Sequence, residues 1–570
     1  MLRELLVIFY LGGVLTIPPP PPPSPHSLSN DEWWRDTFIY QVYPRSFKDS
    51  DGDGVGDLNG VTEKLDHLVD MNISGLWLSP IFTSPMVDFG YDISNFTDID
   101  KTFGTIEDFT KLTSAAHSRG LKIILDFVPN HSSNEHPWFA KSIKKIKPYD
   151  NYYVWKDAKI INGTRQPPNN WLSIFFGSAW EWNEERQQYY LHQFAIKQPD
   201  LNFNSPELRK EMENAILFWA DRGVDGFRID SMPYMYEDSE FRDEPVIPNN
   251  GLQPDDPATL DHIYTKDQQA TYDLLKTWRN VLDSRGGEKK IILVEAYATL
   301  PLTVKYFNYG ANIPFNFMFV TGLNNHSSAL DFKRSIDQWT SNIPKGNFVS
   351  NWVVDNHDNP RTSARFGVQR SDQISMLCAI LPGVGIIYNG DEIGMENGPV
   401  SWNQTVDTQG LSAGPDRYMQ FSRDPERTPF QWDNTTSAGF SSNIKTWLPV
   451  NPNYKNDNLA EQKKSLTSHY SIFKKLVLLK SLPIIKTGTS EVILAGKDIL
   501  SVVRRQPNKT PVVLLINFSD KSITVDASAW LNIPDSMNVY VASVGSNITF
   551  GSRLDTTALQ LPGAASLILN

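Results

Sequence analysis

The sequence predicts an α/β protein: an eight-stranded β/α barrel, a subdomain inserted after the third strand, and a C-terminal antiparallel β domain. Three observations carry this. From Asp36 onward, apolar strand-like runs alternate with amphipathic helical patterns. The rhythm breaks once, over residues 132–204. Beyond residue 480 it gives way to short alternating segments separated by turns.

Taken in order, the strand candidates are "FIYQVYP" (38–44), "GLWLSP" (75–80), "LKIILDFVPNH" (121–131), "GFRIDS" (226–231), "KIILVEAY" (290–297), "NIPFNF" (312–317), "FVSNWVVDNHD" (348–358) and "GVGIIYNGDE" (383–392). Most are continuously apolar, as strands of a parallel sheet covered on both faces must be. Between them lie helices such as "SPELRKEMENAILFWADRG". There Ser205 precedes Pro206 and Glu207, and Leu208, Met212, Ile216 and Trp219 recur at helical spacing until Gly223. Eight such units favour a closed, TIM-type barrel. The open doubly wound sheet is disfavoured because no G-x-G-x-x-G follows the first strand.

The stretch 132–202 is too long for a structureless loop and is rich in aromatics, which predicts a small inserted domain. The barrel is expected over 36–131 and 203–480, and a β-sandwich over 481–570, where "TPVVLLINFSDKSITVDAS" and its neighbours alternate. Residues 1–35 read as a signal-like segment. Arg3 precedes an apolar run from Leu5 to Ile17, too short to cross a membrane comfortably, and a proline-rich spacer follows. Secretion is the expectation, with membrane attachment left open.

Composition narrows the function. A net charge of −12 argues against nucleic acid as a partner. Sixteen tryptophans and 21 tyrosines offer flat faces suited to sugar rings. The one cysteine, Cys378, sits in an apolar run and leaves no intrachain disulfide. Sequons begin at Asn72, Asn95, Asn162, Asn325, Asn403, Asn434, Asn508, Asn517 and Asn547, which also points to the secretory route. Oligomeric state is not legible.

In a β/α barrel, chemistry gathers at the C-terminal ends of the strands. Strand three ends in Asp126, Asn130 and His131; strand four in Arg228 and Asp230; strand five in Glu295; strand seven in His357 and Asp358. Such a set suits acid/base or nucleophilic chemistry, or a hard metal cluster. Glycoside hydrolysis needs an ionised and a protonated carboxyl group facing one another. Arg228, two residues before Asp230 and on the same strand face, would hold it ionised; the apolar "IILV" before Glu295 would keep that residue protonated.

The segments "DFVPNH", "GFRID", "LVEA" and "VVDNHD" resemble the four signature regions of glycoside hydrolase family thirteen, the α-amylase superfamily. "QPDLN" (198–202) is similar to a fifth region of its oligo-1,6-glucosidase and α-glucosidase branch. "YQVYPRSFKDSDGDGVGDLNG", "SPMVDFGYDISN" and "RDPERTPFQWD" look most like insect maltases. The resemblance implies Asp230 as nucleophile, Glu295 as general acid and base, and Asp358 as transition-state stabiliser. It implies sugar hydroxyl contacts from His131 and His357, Arg228 orienting Asp230, Tyr91 stacking on the terminal glucose, and Asp92 on its 4-hydroxyl, paired with Arg427. The implied substrate is a short α-glucoside such as maltose, sucrose or a maltooligosaccharide. Ser231, the small residue after the nucleophile, implies a preference for α-1,4 links. Transfer to a sugar acceptor stays open. The rival readings are a non-catalytic transporter heavy chain or receptor of the same fold, and a sucrose isomerase.

"DSDGDGVGDLNG" places Asp49, Asp51, Asp53 and Asp57 among glycines, with the Val55 carbonyl as a further oxygen. Four like charges this close repel unless a cation neutralises them. The resemblance implies a structural calcium here; no organic cofactor is expected.

Overall fold

The computed structural model describes residues 32–570. The N-terminal apolar run and proline spacer lie outside them.

All eight predicted strands form, each shorter than its apolar run: β1 Phe38–Val42, β2 Gly75–Leu78, β3 Lys122–Phe127, β4 Gly226–Ile229, β5 Ile291–Val294, β6 Ile313–Pro314, β7 Asn351–Val353 and β8 Val384–Tyr388. They run parallel in the order β6-β5-β4-β3-β2-β1-β8-β7. No ladder joins β6 to β7. Asparagine side chains bridge that seam instead: Asn316 N donates to Asn351 Oδ1 at 2.8 Å, and Asn351 Nδ2 donates to Pro314 O at 2.7 Å.

The period-two alternation of a strand sorts its residues between two cores. Ile39, Trp77, Ile124, Ile291, Leu293, Val353 and Ile386 fill the barrel interior. Their neighbours Tyr40, Leu76, Leu125, Phe227, Ile292 and Trp352 pack outward against the helices. Continuing the inward register along β3 and β4 gives Asp126 after Ile124, and Arg228 after Gly226. The strands pair so that Arg228 lies opposite Asp126. The polar rim is thus the continuation of the apolar interior by one more step per strand.

The helix before β4 spans Pro206–Ala220, with Ser205 Oγ accepting from Leu208 N and Pro206 in its first turn. It stops at Asp221, short of the predicted Gly223. Gly223 takes a left-handed φ of 89° in the turn that leads to β4.

After β3 the chain builds a three-stranded antiparallel sheet from Trp155–Lys156, Gln188–Leu191 and Trp180–Asn183, with a hairpin at Lys159–Ile161 and Thr164–Gln166. Trp171 stacks on both Trp180 and Phe241 in its core. It returns to the barrel through a bridge between His131 and Asp200, which fixes His131 at the rim. The C-terminal segment forms a six-stranded sheet faced by the pair Ile523–Val525 and Leu559–Leu561, with Val503, Val513, Leu515 and Leu567 between. Among the described residues, no helix is long and apolar enough to cross a membrane.

Candidate active site

One guanidinium organises the rim. Arg228 is buried and lies over Trp77, 5.0 Å from its ring centroid. Its Nη1 donates to Asp230 Oδ1 at 2.5 Å and to Asp126 Oδ1 and Oδ2 at 2.9 and 3.0 Å. Its Nη2 reaches Glu295 Oε1 at 2.7 Å. Asp230 and Glu295 are thereby held on one planar fork.

Ser231 completes the pairing. It sits in the left-handed region at φ 48°, ψ 34°, a turn uncommon for a residue with a Cβ. The turn aims two successive polar atoms at the two carboxylates. Its Oγ donates to Asp230 Oδ2 at 2.8 Å, and its N–H to Glu295 Oε2 at 2.9 Å.

Burial pushes Glu295 well above the usual carboxylate range. Arg228 pulls it down, but the charges of Asp230 and Asp358 push it up again, and the net direction is upward. Asp358 goes the other way. Burial works to raise it, yet His357, Arg427 and Arg423 outweigh that and hold its carboxyl low. Arg427 Nη2 donates to Asp358 Oδ1 at 2.8 Å, and Arg423 Nη1 does so at 3.3 Å. Two acids at one rim are thus driven apart in acidity by their surroundings, as paired acid/base groups require.

Asp230, Ser231, Glu295 and Asp358 line a cavity of about 250 Å³, together with Asp88, Tyr91, His131, Phe175, Phe194, Tyr234, Tyr297, Asn359, Gln409 and Arg423. The volume is of the order of one sugar ring, with aromatic walls and charged groups converging at one side. A larger cavity, about 1120 Å³, opens at the opposite end of the barrel around Lys122, Asp225 and Arg285, and contains none of them.

Two expected contacts are corrected by the fold. Asp92 does not face the cavity. It is fully buried, and its carboxylate accepts from Ser84 Oγ, Val87 N and Asp88 N at 2.9, 2.9 and 3.0 Å, so it shapes its own loop. Arg427 does not pair with it; Nε donates to His357 O at 2.8 Å and Nη2 to Asp358. The residues at that place are Asp88 and Arg423, joined at 2.7 Å. Both were within the quoted motifs, as the other acid of "VDFGYDIS" and the first arginine of "RDPERTPFQW". Spacing alone gave no reason to choose between members of each pair.

His357, too, lies behind the cavity wall. It is stacked between Tyr43 and Tyr91, each 5.3 Å away between ring centroids. Its Nδ1 meets Gln41 Nε2 and its Nε2 meets Tyr91 Oη, both at 2.7 Å, with Asp358 Oδ2 3.3 Å from the same Nε2. His131 does line the cavity, with Nε2 against Tyr91 O at 2.9 Å.

In the aspartate loop, carboxylate oxygens of Asp49, Asp51 and Asp57 lie within 4.8 Å of one another. Gly52 and Gly54 take φ of 84° and 97°, which lets their N–H groups turn to Asp49 at 2.6 and 2.9 Å. Asp57 caps the next helix through Gly60 N. Asp53 is exposed, its carboxylate on Val55 N. The clustered, all-oxygen donor set fits a hard divalent cation.

Comparison with known proteins agrees with this geometry. Residues 41–488 match the model of the α-amylase catalytic domain family. An α-glucosidase of Apis mellifera is 46% identical over 545 residues, covering 95% of this chain and 94% of the relative. A salivary α-glucosidase of Anopheles gambiae is 43% identical over 554 residues, covering 94% and 93%. The crystal structure of an α-glucosyl transfer enzyme, XgtA, superposes with a TM-score of 0.82 at 31% identity, over 94% of this chain and 99% of that one. With the barrel, the rim carboxylates and these matches together, the chain belongs to the α-amylase catalytic-domain family, glycoside hydrolase family thirteen.

Proposed function

We propose that this chain is a retaining, exo-acting α-glucosidase that releases glucose from the non-reducing ends of short α-glucosides. The observation that carries the reading is the shared Arg228 fork, which holds Asp230 and Glu295 together at a cavity of single-ring size. Asp230 attacks the anomeric carbon as the glycosidic bond breaks, and the Glu295 proton passes to the departing oxygen. Asp358, held ionised by Arg423 and Arg427, stabilises the positive charge that develops on the ring. Glu295, now a base, takes a proton from water, whose oxygen displaces Asp230 and restores the original configuration. A sugar hydroxyl in place of that water yields transfer, consistent with the description of the structurally similar XgtA.

Tyr91 and His131 contact the terminal ring. Asp88, held by Arg423, takes the 4-hydroxyl in place of Asp92, and a wall at that end confines the enzyme to chain termini. Ser231 favours maltose, sucrose and maltooligosaccharides over α-1,6 substrates. Asp49, Asp51, Asp53, Asp57 and the Val55 carbonyl would hold a calcium ion, which would pin the loop after β1; no step requires an organic cofactor. The salivary relative supports secretion. Retention of Asp230, Glu295 and Asp358 favours a hydrolase over a non-catalytic heavy chain. The test is glucose release from maltose and sucrose, with the anomer followed by NMR. Release of α-glucose that Asp230→Asn abolishes supports the reading; full turnover by that variant, or β-glucose as first product, refutes it.

A further inference from the structure

Asp126 is the one acid of the Arg228 cluster to which the reaction gives no part. It is buried at 2% exposure, off the cavity, yet it takes both of its Arg228 contacts from Nη1, the same nitrogen that holds Asp230. Three carboxylates therefore divide one positive charge. Asp126 Oδ2 also accepts from Trp77 Nε1 at 3.2 Å and from Tyr91 Oη at 3.3 Å.

The directions of these bonds form one consistent chain. Gln41 Nε2 can only donate, so His357 Nδ1 accepts. His357 Nε2–H then donates to Tyr91 Oη, and the Tyr91 hydroxyl is left to donate to Asp126. A chain of donors needs an acceptor at its end, and Asp126 is that end. An ionised Asp126 fixes the His357 tautomer, the Tyr91 hydroxyl and part of the Arg228 charge together.

We propose that Asp126 is a positioning residue that sets the working pH window of the enzyme, by drawing charge from Arg228 away from Asp230 and Glu295 and by terminating the Gln41–His357–Tyr91 chain. The groups facing it are Arg228 and Asp230 from β4 and its end, Glu295 from the end of β5, Tyr91 from the loop after β2, and His357 and Asp358 from the end of β7. Its charge disfavours ionisation of Glu295, while Arg228 favours it. Burial and the Asp230 charge raise Asp126 itself to about 7 against the pull of Arg228.

The inference rests on the hydrolytic reading above, and the experiment separates the two. The pH dependence of kcat/KM on maltose is measured for wild type, Asp126→Asn and Asp126→Glu. Removing the charge makes Glu295 a stronger acid, so the alkaline limb of the profile moves to lower pH, by on the order of one unit. Asp126→Glu restores the charge and returns the alkaline limb toward wild type. A merely structural role lowers kcat without moving either limb. If Asp126→Asn does not fold, Trp77→Phe strips one donor from the same carboxylate and moves the alkaline limb in the same direction by a smaller amount. An active wild type whose limbs stay fixed in the variant overturns this inference alone; an inactive wild type overturns the glucosidase reading instead.

Discussion

Arg423 Nη2 donates to Asp88 Oδ1 at 2.7 Å, joining two loops 335 residues apart in sequence at the wall of the active cavity. The same guanidinium takes Asp407 at 2.5 Å and Asp358 at 3.3 Å, so one arginine couples the cavity wall to the Asp358 carboxylate.

Breaking that pair separates substrate binding from folding. Asp88→Ala leaves a sugar hydroxyl without its acceptor and is expected to lower kcat/KM on maltose by about 10²- to 10³-fold, near 3–4 kcal/mol. Asp92→Ala strips three donors of their acceptor inside a loop. It is expected to lower thermal stability, by about 1–3 kcal/mol, more than it alters KM in the folded fraction. Steady-state kinetics beside thermal melts decide it; the reverse pattern would reinstate Asp92 as the contact.

Glu295 should declare itself through leaving-group dependence. Glu295→Gln cannot donate a proton, so maltose turnover falls by about 10²- to 10⁴-fold. A nitrophenyl glucoside, whose leaving group needs no proton, is hurt far less in its first step. Equal losses on both substrates would remove Glu295 from the acid role. Because folding makes Glu295 a weaker acid, wild-type activity persists as pH rises past the ordinary carboxylate range and fails only above the raised value.

Lys480 gives a stability prediction with a definite sign. It is fully buried, bonded to Cys378 O and Leu381 O at 2.6 and 2.9 Å, and burial lowers it to about 7. The unfolded lysine binds its proton near 10.5, so between that value and about 7 the unfolded state holds more protons. Wild type therefore loses stability as pH falls through that window, and Lys480→Met removes this contribution. Melts at pH 6 and 9 should show a smaller gap in the variant; an unchanged gap contradicts the assignment.

The aspartate loop predicts calcium-linked stability. At free calcium a hundredfold above its dissociation constant, binding contributes about 2.7 kcal/mol, a shift of about 2 °C in Tm for a chain of this size. Chelation should remove the shift, and Asp51→Ala should make the protein indifferent to chelator. A melt that calcium never moves rules the site out.

Sequons divide by burial. Asn517 is fully buried, its amide donating to Lys521 O, Leu561 O and Pro562 O, whereas Asn95, Asn162, Asn325, Asn403, Asn434, Asn508 and Asn547 are exposed. Peptide mass mapping of secreted protein should find Asn517 unmodified. A glycan there would require the C-terminal sheet to be rebuilt.

The barrel, the strand ends and the carboxylate set were legible in the sequence because they depend on local regularity. A buried parallel strand must be apolar throughout, and its inward period of two carries on into the rim, which is how Arg228 and Asp230 share a face. Glu295 was legible for the same reason, as the first polar residue after "IILV". The sequence by itself thus determined which strands end in the rim carboxylates, and where the aspartates of one loop cluster. Only the tertiary structure decided which side chains meet across loops: Asp88 rather than Asp92, Arg423 rather than Arg427, His357 behind Tyr91, and Asp126 on the shared arginine. Those choices turn on the rotation of a loop by a residue or two and on contacts hundreds of residues apart. Periodicity fixes the face of a strand, whereas a loop has no period, and its side chains point where packing and hydrogen bonding leave them room.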